Sequence, residues 1–122
     1  MPEPALTVSI FQKDAPETFA AGQIIFEVGQ PGAVMYGVIE GEVSLVVNNK
    51  VVETIKTGDV FGEGALVRQA GTRASTAIAQ TDCKLASLDE KRFLFALENT
   101  PMFAVEVVRS FSDRLRRLKQ VV

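Results

Sequence analysis

Residues 60–77 read VFGEGALVRQAGTRASTA, with a carboxylate, Glu63, between two glycines at the start of a short apolar helix and Arg73 ten positions further on. A helix N-terminus carries unpaired backbone N–H groups and a partial positive charge, so an anion settles there when the side chains leave room. Gly62 and Gly64 leave that room. Arg73 adds a planar, permanently charged guanidinium that grips phosphate oxygens through two parallel hydrogen bonds. A carboxylate belongs beside a phosphate when the ligand also brings a hydroxyl donor, which Glu63 would accept. A sugar phosphate meets both demands. Each residue also has a plainer reading alone: turn glycines, a helix-start carboxylate favoured by the dipole, a surface loop charge. What joins them is their order: an expected strand, FGE, a polar loop with Gly71, then Arg73 leading into small strand residues.

The 122 residues suffice for one domain with a sizeable core, and 47% hydrophobic with 23% charged residues reads as globular. The chain has no histidine, which excludes imidazole-bound metals, Ser-His triads and histidine bases. A single cysteine, Cys83, builds neither a thiolate metal site nor an internal disulfide, and within CKLASL it fits as a small buried hydrophobe. The chain is therefore read as a non-enzyme with no metal and no cofactor. No apolar run approaches the roughly 20 residues that span a bilayer. Residues 1–6 lack the basic and apolar regions of a secretory signal, so a cytoplasmic location and no membrane partner are expected. Net charge is −2, yet from 103 onwards five bases (Arg109, Arg114, Arg116, Arg117, Lys119) face two acids (Glu106, Asp113). Basic helices suggest nucleic acid. On an otherwise acidic body this one is read as a solvated face near a helix C-terminus, with no DNA bound by this chain alone.

The elements that must position Glu63 and Arg73 are mostly strands. QIIFEV (23–28) precedes the turn GQPG; residues 34–47 alternate around Gly41; Asn48-Asn49 turns the chain tightly into VVETI (51–55); STAIAQ (75–80) and CKLASL (83–88) follow the FGEGAL helix. Short antiparallel strands at this spacing predict a sandwich or jelly-roll barrel. At Asp89, a candidate N-cap, the pattern becomes helical, with Phe93, Leu94 and Leu97 on one face. Pro101 restarts a helix. Along it Val108, Phe111, Leu115, Leu118 and Val122 recur at spacings of three and four, a coiled-coil seam, while Val105 and Val107 widen the early stripe toward core packing. Two readings stand: a homodimer through 101–122, or a helix folded back on the barrel.

With these elements in place the chain closely resembles the cyclic nucleotide-binding domain family, of the catabolite activator protein and protein kinase A regulatory subunit type. The resemblance runs from about Phe19 to Lys119. It rests on Gly22, Gly29, Gly32, Gly41, Gly58 and Gly62, the pair Met35-Tyr36, and the cassette FGEGALVRQAGTRAST. It implies an eight-stranded β jelly roll with a short cassette helix and two C-terminal helices. One domain over 1–122 is expected, its barrel at about 19–88 and its helices at about 89–120. It further implies that Arg73 holds the cyclic phosphate, that Glu63 accepts from the ribose 2′-hydroxyl, and that amides around Gly62, Ala65 and Ala74 complete the cradle. Val52 and Phe61 would line the base pocket. Ala74, in place of a threonine after the arginine, implies cAMP; Ser75 and Thr76 keep cGMP open.

Two departures accompany the resemblance. Gly64 replaces a larger apolar residue, loosening the cassette helix by up to about 1 kcal/mol. The N-terminal helical region is expected to shrink to a few residues before Phe19, with Pro2, Pro4 and Pro16 opposing a long helix. The function implied is a regulatory sensor whose C-terminal helix moves with ligand to control dimerisation or an unidentified downstream protein. Alternatives are an interaction jelly roll that binds no nucleotide, and the sensor part of a truncated transcription regulator.

Overall fold

Two four-stranded antiparallel sheets face each other in the computed structural model, which describes residues 3–120. The strands are β1 (Glu17–Phe19), β2 (Ile24–Phe26), β3 (Val34–Glu40), β4 (Val43–Val47), β5 (Lys50–Ile55), β6 (Val60–Phe61), β7 (Thr76–Ala79) and β8 (Cys83–Asp89). One sheet runs β1-β8-β3-β6 and the other β2-β7-β4-β5, the jelly-roll arrangement expected from the spacing of the strands. Helices α1 (Pro4–Phe11), α3 (Glu90–Asn99) and α4 (Met102–Lys119) cover the outer face of the first sheet, and α2 (Gly64–Val67) is the single turn of the cassette. Among the described residues no helix is long and apolar enough to cross a membrane.

The sequence pattern explains the two cores. Alternate residues of β3 and β8 point into the barrel, where Tyr36, Val38 and Leu85 join Phe26, Phe61 and Ile55. Their other faces, Met35, Ala86 and Leu88, pack with Val8, Ala96, Phe103 and Val107 beneath the helices. Strands covered on both sides carry near-continuous apolar runs, as VMYGVI does. Gly37 serves the same packing: a Cβ there would lie 2.8 Å from the Cα of Ala5, so its absence lets α1 rest on β3. Between β4 and β5, Asn48 and Asn49 both take positive φ (51° and 62°), the conformation a tight two-residue hairpin turn requires. Asp89 caps α3, its Oδ1 accepting the Arg92 N–H at 2.8 Å, and Cys83 is buried as expected.

Four details differ from the sequence reading. Strands β1 and β6 are too short to show a period of two. The region before Phe19 forms a full eight-residue helix, because Pro4 sits in its first turn, where a missing N–H costs nothing. On α3, Phe93, Ala96 and Leu97 face the core while Leu94 is exposed. On α4, Val107 is buried but Val105 is not.

Phe103 anchors α4: it is fully buried and meets Phe93 edge to face at 6.1 Å. Phe103→Ala is expected to cost about 3–5 kcal/mol, read as a lowered urea midpoint.

Candidate functional site

Strand β6 ends at Phe61, and Gly62 turns the chain through a positive φ of 78° into α2. Glu63 closes the start of that turn, its Oε2 accepting the Gly64 N–H at 2.8 Å. The loop after α2 is pinned to the 29–32 turn by backbone bonds: Arg73 N–H donates to Gln30 O (2.8 Å), Gly29 N–H to Arg73 O (2.8 Å) and Gly32 N–H to Gly71 O (2.9 Å). These bonds aim the Arg73 side chain back beneath the cassette.

Arg73 is only 6% exposed. Its Nη1 donates to Gly62 O and its Nη2 to Val34 O, each at 2.9 Å. Its Cζ lies 4.1 Å from the Phe26 ring centroid, a cation held over an aromatic face. Gly32 makes this possible, since a Cβ there would stand 2.5 Å from the Arg73 Nε. Burial lowers the pKa of Arg73, opposed by Tyr36 and Glu63; a guanidinium remains cationic at neutral pH. Two carbonyls take two of its five N–H donors, leaving three.

Arg73 and Glu63 both line one cavity of about 290 Å³. Of the residues expected around the ligand, Val52, Gly62, Glu63, Ala65, Arg73, Ala74 and Ser75 line it. Phe61 does not: it is fully buried, stacked on Tyr36 (5.3 Å) and tilted against Phe26 (6.0 Å). Thr76 is engaged elsewhere, its Oγ1 accepting the Val28 N–H at 3.0 Å.

Among the lining residues the sequence reading did not assign to the site are Phe26, Arg68 and a charged pair, Glu53 and Arg114. Arg114 of α4 meets Glu53 of β5 through two bonds, Nε–H to Oε2 (2.6 Å) and Nη2–H to Oε1 (2.9 Å). Its Nη1 donates to Glu63 Oε1 (3.2 Å) and Val60 O (3.1 Å). Burial alone would lower the Arg114 pKa, but hydrogen bonds and charges from Glu53, then Glu63, raise it above the ordinary arginine value. One turn on, Arg117 Nη2 donates to Asp59 Oδ2 at 2.6 Å, while Asp59 Oδ1 accepts the Ser110 hydroxyl at 2.9 Å. The expectation of a wholly solvated basic face is thus corrected, because two of its cations pair with barrel acids. The signal was present: Phe103, Val107, Ser110, Arg114 and Arg117 follow one another at spacings of four and three, so both arginines extend the buried stripe. A cation on such a stripe needs a partner. Of the expected seam, Val108 and Leu115 are exposed, Phe111 and Leu118 half-buried, and Val122 lies outside the described residues.

The sequence pattern of the cyclic nucleotide-binding domain family matches residues 16–100. A cyclic nucleotide-gated potassium channel of Mesorhizobium japonicum is 35% identical over 101 residues, covering 83% of this chain and 28% of the channel. The structure of PfPKA-R bound to cAMP matches with a TM-score of 0.68 at 30% identity, over 87% of this chain and 36% of that one. Thermus thermophilus catabolite activator protein shares the fold, with a TM-score of 0.75 at 24% identity over 98% of this chain and 57% of that one. The chain spans 15–28% of the length of curated relatives it matches.

Because Arg73 donates to the backbone carbonyls of Gly62 and Val34, Arg73→Ala is expected to destabilise the nucleotide-free protein by about 1–3 kcal/mol. Urea unfolding of nucleotide-free wild type and variant measures it.

Proposed function

We propose that this chain, which belongs to the cyclic nucleotide-binding domain family, is a regulatory sensor module that binds cAMP in the cavity between the cassette and α4. The observation that carries this reading is the convergence of Arg73 and Glu63 on one cavity of about 290 Å³. Three guanidinium donors remain for a phosphate, and the carboxylate retains lone pairs for a hydroxyl. In this reading Arg73 holds the cyclic phosphate and Glu63 accepts from the ribose 2′-hydroxyl. Amides around Gly62, Ala65 and Ala74 complete the cradle, and Val52 packs against the base. Ala74 offers no side-chain hydroxyl beside the arginine, which favours adenine. Ser75 lines the cavity and makes cGMP the competitor to test.

Ligand binding is coupled to α4, which closes over the base. That helix leaves Val108 and Leu115 exposed on its outer stripe, which supports a helix-to-helix homodimer through 101–122. If the nucleotide shifts α4, it shifts dimerisation by the same factor that dimerisation shifts its affinity.

Calorimetric titration of nucleotide-free protein is expected to show tighter binding of cAMP than of cGMP. Arg73→Ala should weaken cAMP by about 2–4 kcal/mol, and unchanged affinity would rule out the phosphate role. Sedimentation with and without cAMP should give different dimer constants; equal constants would remove the coupling while leaving binding intact.

A further inference from the structure

We infer that Arg68 is a ligand-facing cation, laid over the bare face of Gly64, that completes the positive charge a single phosphodiester requires of the cavity. This rests on the nucleotide site proposed above. Arg68 ends α2, its N–H donating to Gly64 O at 2.9 Å, so the two residues stand one turn apart on the same face of the helix. Helical side chains lean toward the N-terminus, and Arg68 accordingly reaches back along α2 toward Gly64. A Cβ built on Gly64 would lie 3.5 Å from the Arg68 Nε and 3.8 Å from its Cζ. The guanidinium therefore rests against the backbone of Gly64, where a longer side chain would compete for its space. Gly64 has no positive φ, so the backbone itself does not call for glycine at that position. The glycine that weakens the cassette helix makes room for Arg68.

The charged residues that line the cavity are Glu53, Glu63, Arg68, Arg73 and Arg114. Three cations against two carboxylates leave one positive charge, equal and opposite to that of a cyclic phosphodiester. The other four already have protein partners: Arg114 pairs with both carboxylates, and Arg73 donates to the carbonyls of Gly62 and Val34. Among the described residues Arg68 forms no ion pair and no side-chain hydrogen bond. All five N–H donors of its fork are thus free of protein partners. Its guanidinium lies beside Gly64, which in chain order separates the Glu63 carboxylate from the Ala65 amide, so it adjoins the proposed phosphate cradle. With Arg68 removed the lining would be neutral, and a bound phosphodiester would leave an uncompensated negative charge. Arg68 is exposed where Arg73 is enclosed, so its share of the attraction is modest and screened by salt.

The test is calorimetric titration with cAMP of the wild type, Arg68→Ala, Gly64→Ala, Gly64→Leu and the double variant Gly64→Leu with Arg68→Ala. Lys91→Ala is the control, since Lys91 is an exposed base of α3 that does not line the cavity. In about 0.01 M salt Arg68→Ala is expected to weaken cAMP about 5-fold, and in about 1 M salt by less than about 2-fold. Lys91→Ala and Gly64→Ala should each change the affinity by less than about 2-fold, because neither removes nor displaces the cavity cation. Gly64→Leu keeps the net charge but takes the space beside Arg68, so it should weaken cAMP about as much as Arg68→Ala does. The double variant should bind no worse than either single one. Unchanged affinity in Arg68→Ala at low salt, or an equal loss in Lys91→Ala, would overturn the role of Arg68. A Gly64→Leu variant that binds like the wild type, or whose loss persists undiminished in the Arg68→Ala background, would overturn the placement of Arg68 over Gly64. Failure of the wild type to bind cAMP would instead overturn the nucleotide site, and this inference with it.

Discussion

A guanidinium enclosed between a sheet edge, a loop and an aromatic ring loses most of its hydration, and the surrounding protein must replace what water supplied. Around Arg73 that replacement comes from Val34 O, Gly62 O and the face of Phe26. Much of the local architecture follows from it. Gly32 has no side chain because the Arg73 Nε occupies its space. The 29–32 turn is stitched to the cassette loop by three backbone bonds, which carry Arg73 to its place. Only part of the fork is consumed, so the charge is held rigidly while donors remain for an anion. A cation fixed in this way requires little reordering when a ligand arrives.

Helix α4 is attached to the barrel by a different kind of contact along its length. Its first two turns are fixed by apolar burial at Phe103 and Val107. Glu106 then accepts the Thr7 hydroxyl of α1 at 2.8 Å, and Ser110 joins the Asp59 network. By the fourth and fifth turns the attachment is ionic, through Arg114 and Arg117. Ion pairs at such partly covered positions have a specific geometry and a modest net contribution, since desolvation opposes attraction. The result is a helix held by apolar burial at one end and by ion pairs at the other. The ionic end is the one that reaches the cavity.

Much of this was legible from residue order. The paired asparagines announced their hairpin, the Asp89 cap its helix, and the FGE-to-Arg73 spacing a cavity lined by both groups. Strands β1 and β6 were not, since three and two residues show no period. The exposure of Leu94 and Val105 depends on which side of a helix the barrel approaches, which helical spacing alone does not specify. Phe61 looked like a wall residue because it adjoins the cassette; only the three-dimensional packing with Phe26 and Tyr36 places it beneath. Arg114 was counted as surface charge because its partners, Glu53 and Glu63, lie 61 and 51 positions away. A contact at that separation leaves no local signature beyond its place on the buried stripe.

The central claim is that one cavity joins a phosphate to Arg73 and a sugar hydroxyl to Glu63. A crystal structure grown with saturating cAMP tests it most directly. The account predicts exocyclic phosphate oxygens within about 3 Å of the Arg73 guanidinium and the 2′-hydroxyl within about 3 Å of a Glu63 oxygen. A nucleotide bound elsewhere, or a cavity with no nucleotide at saturating cAMP, would contradict it.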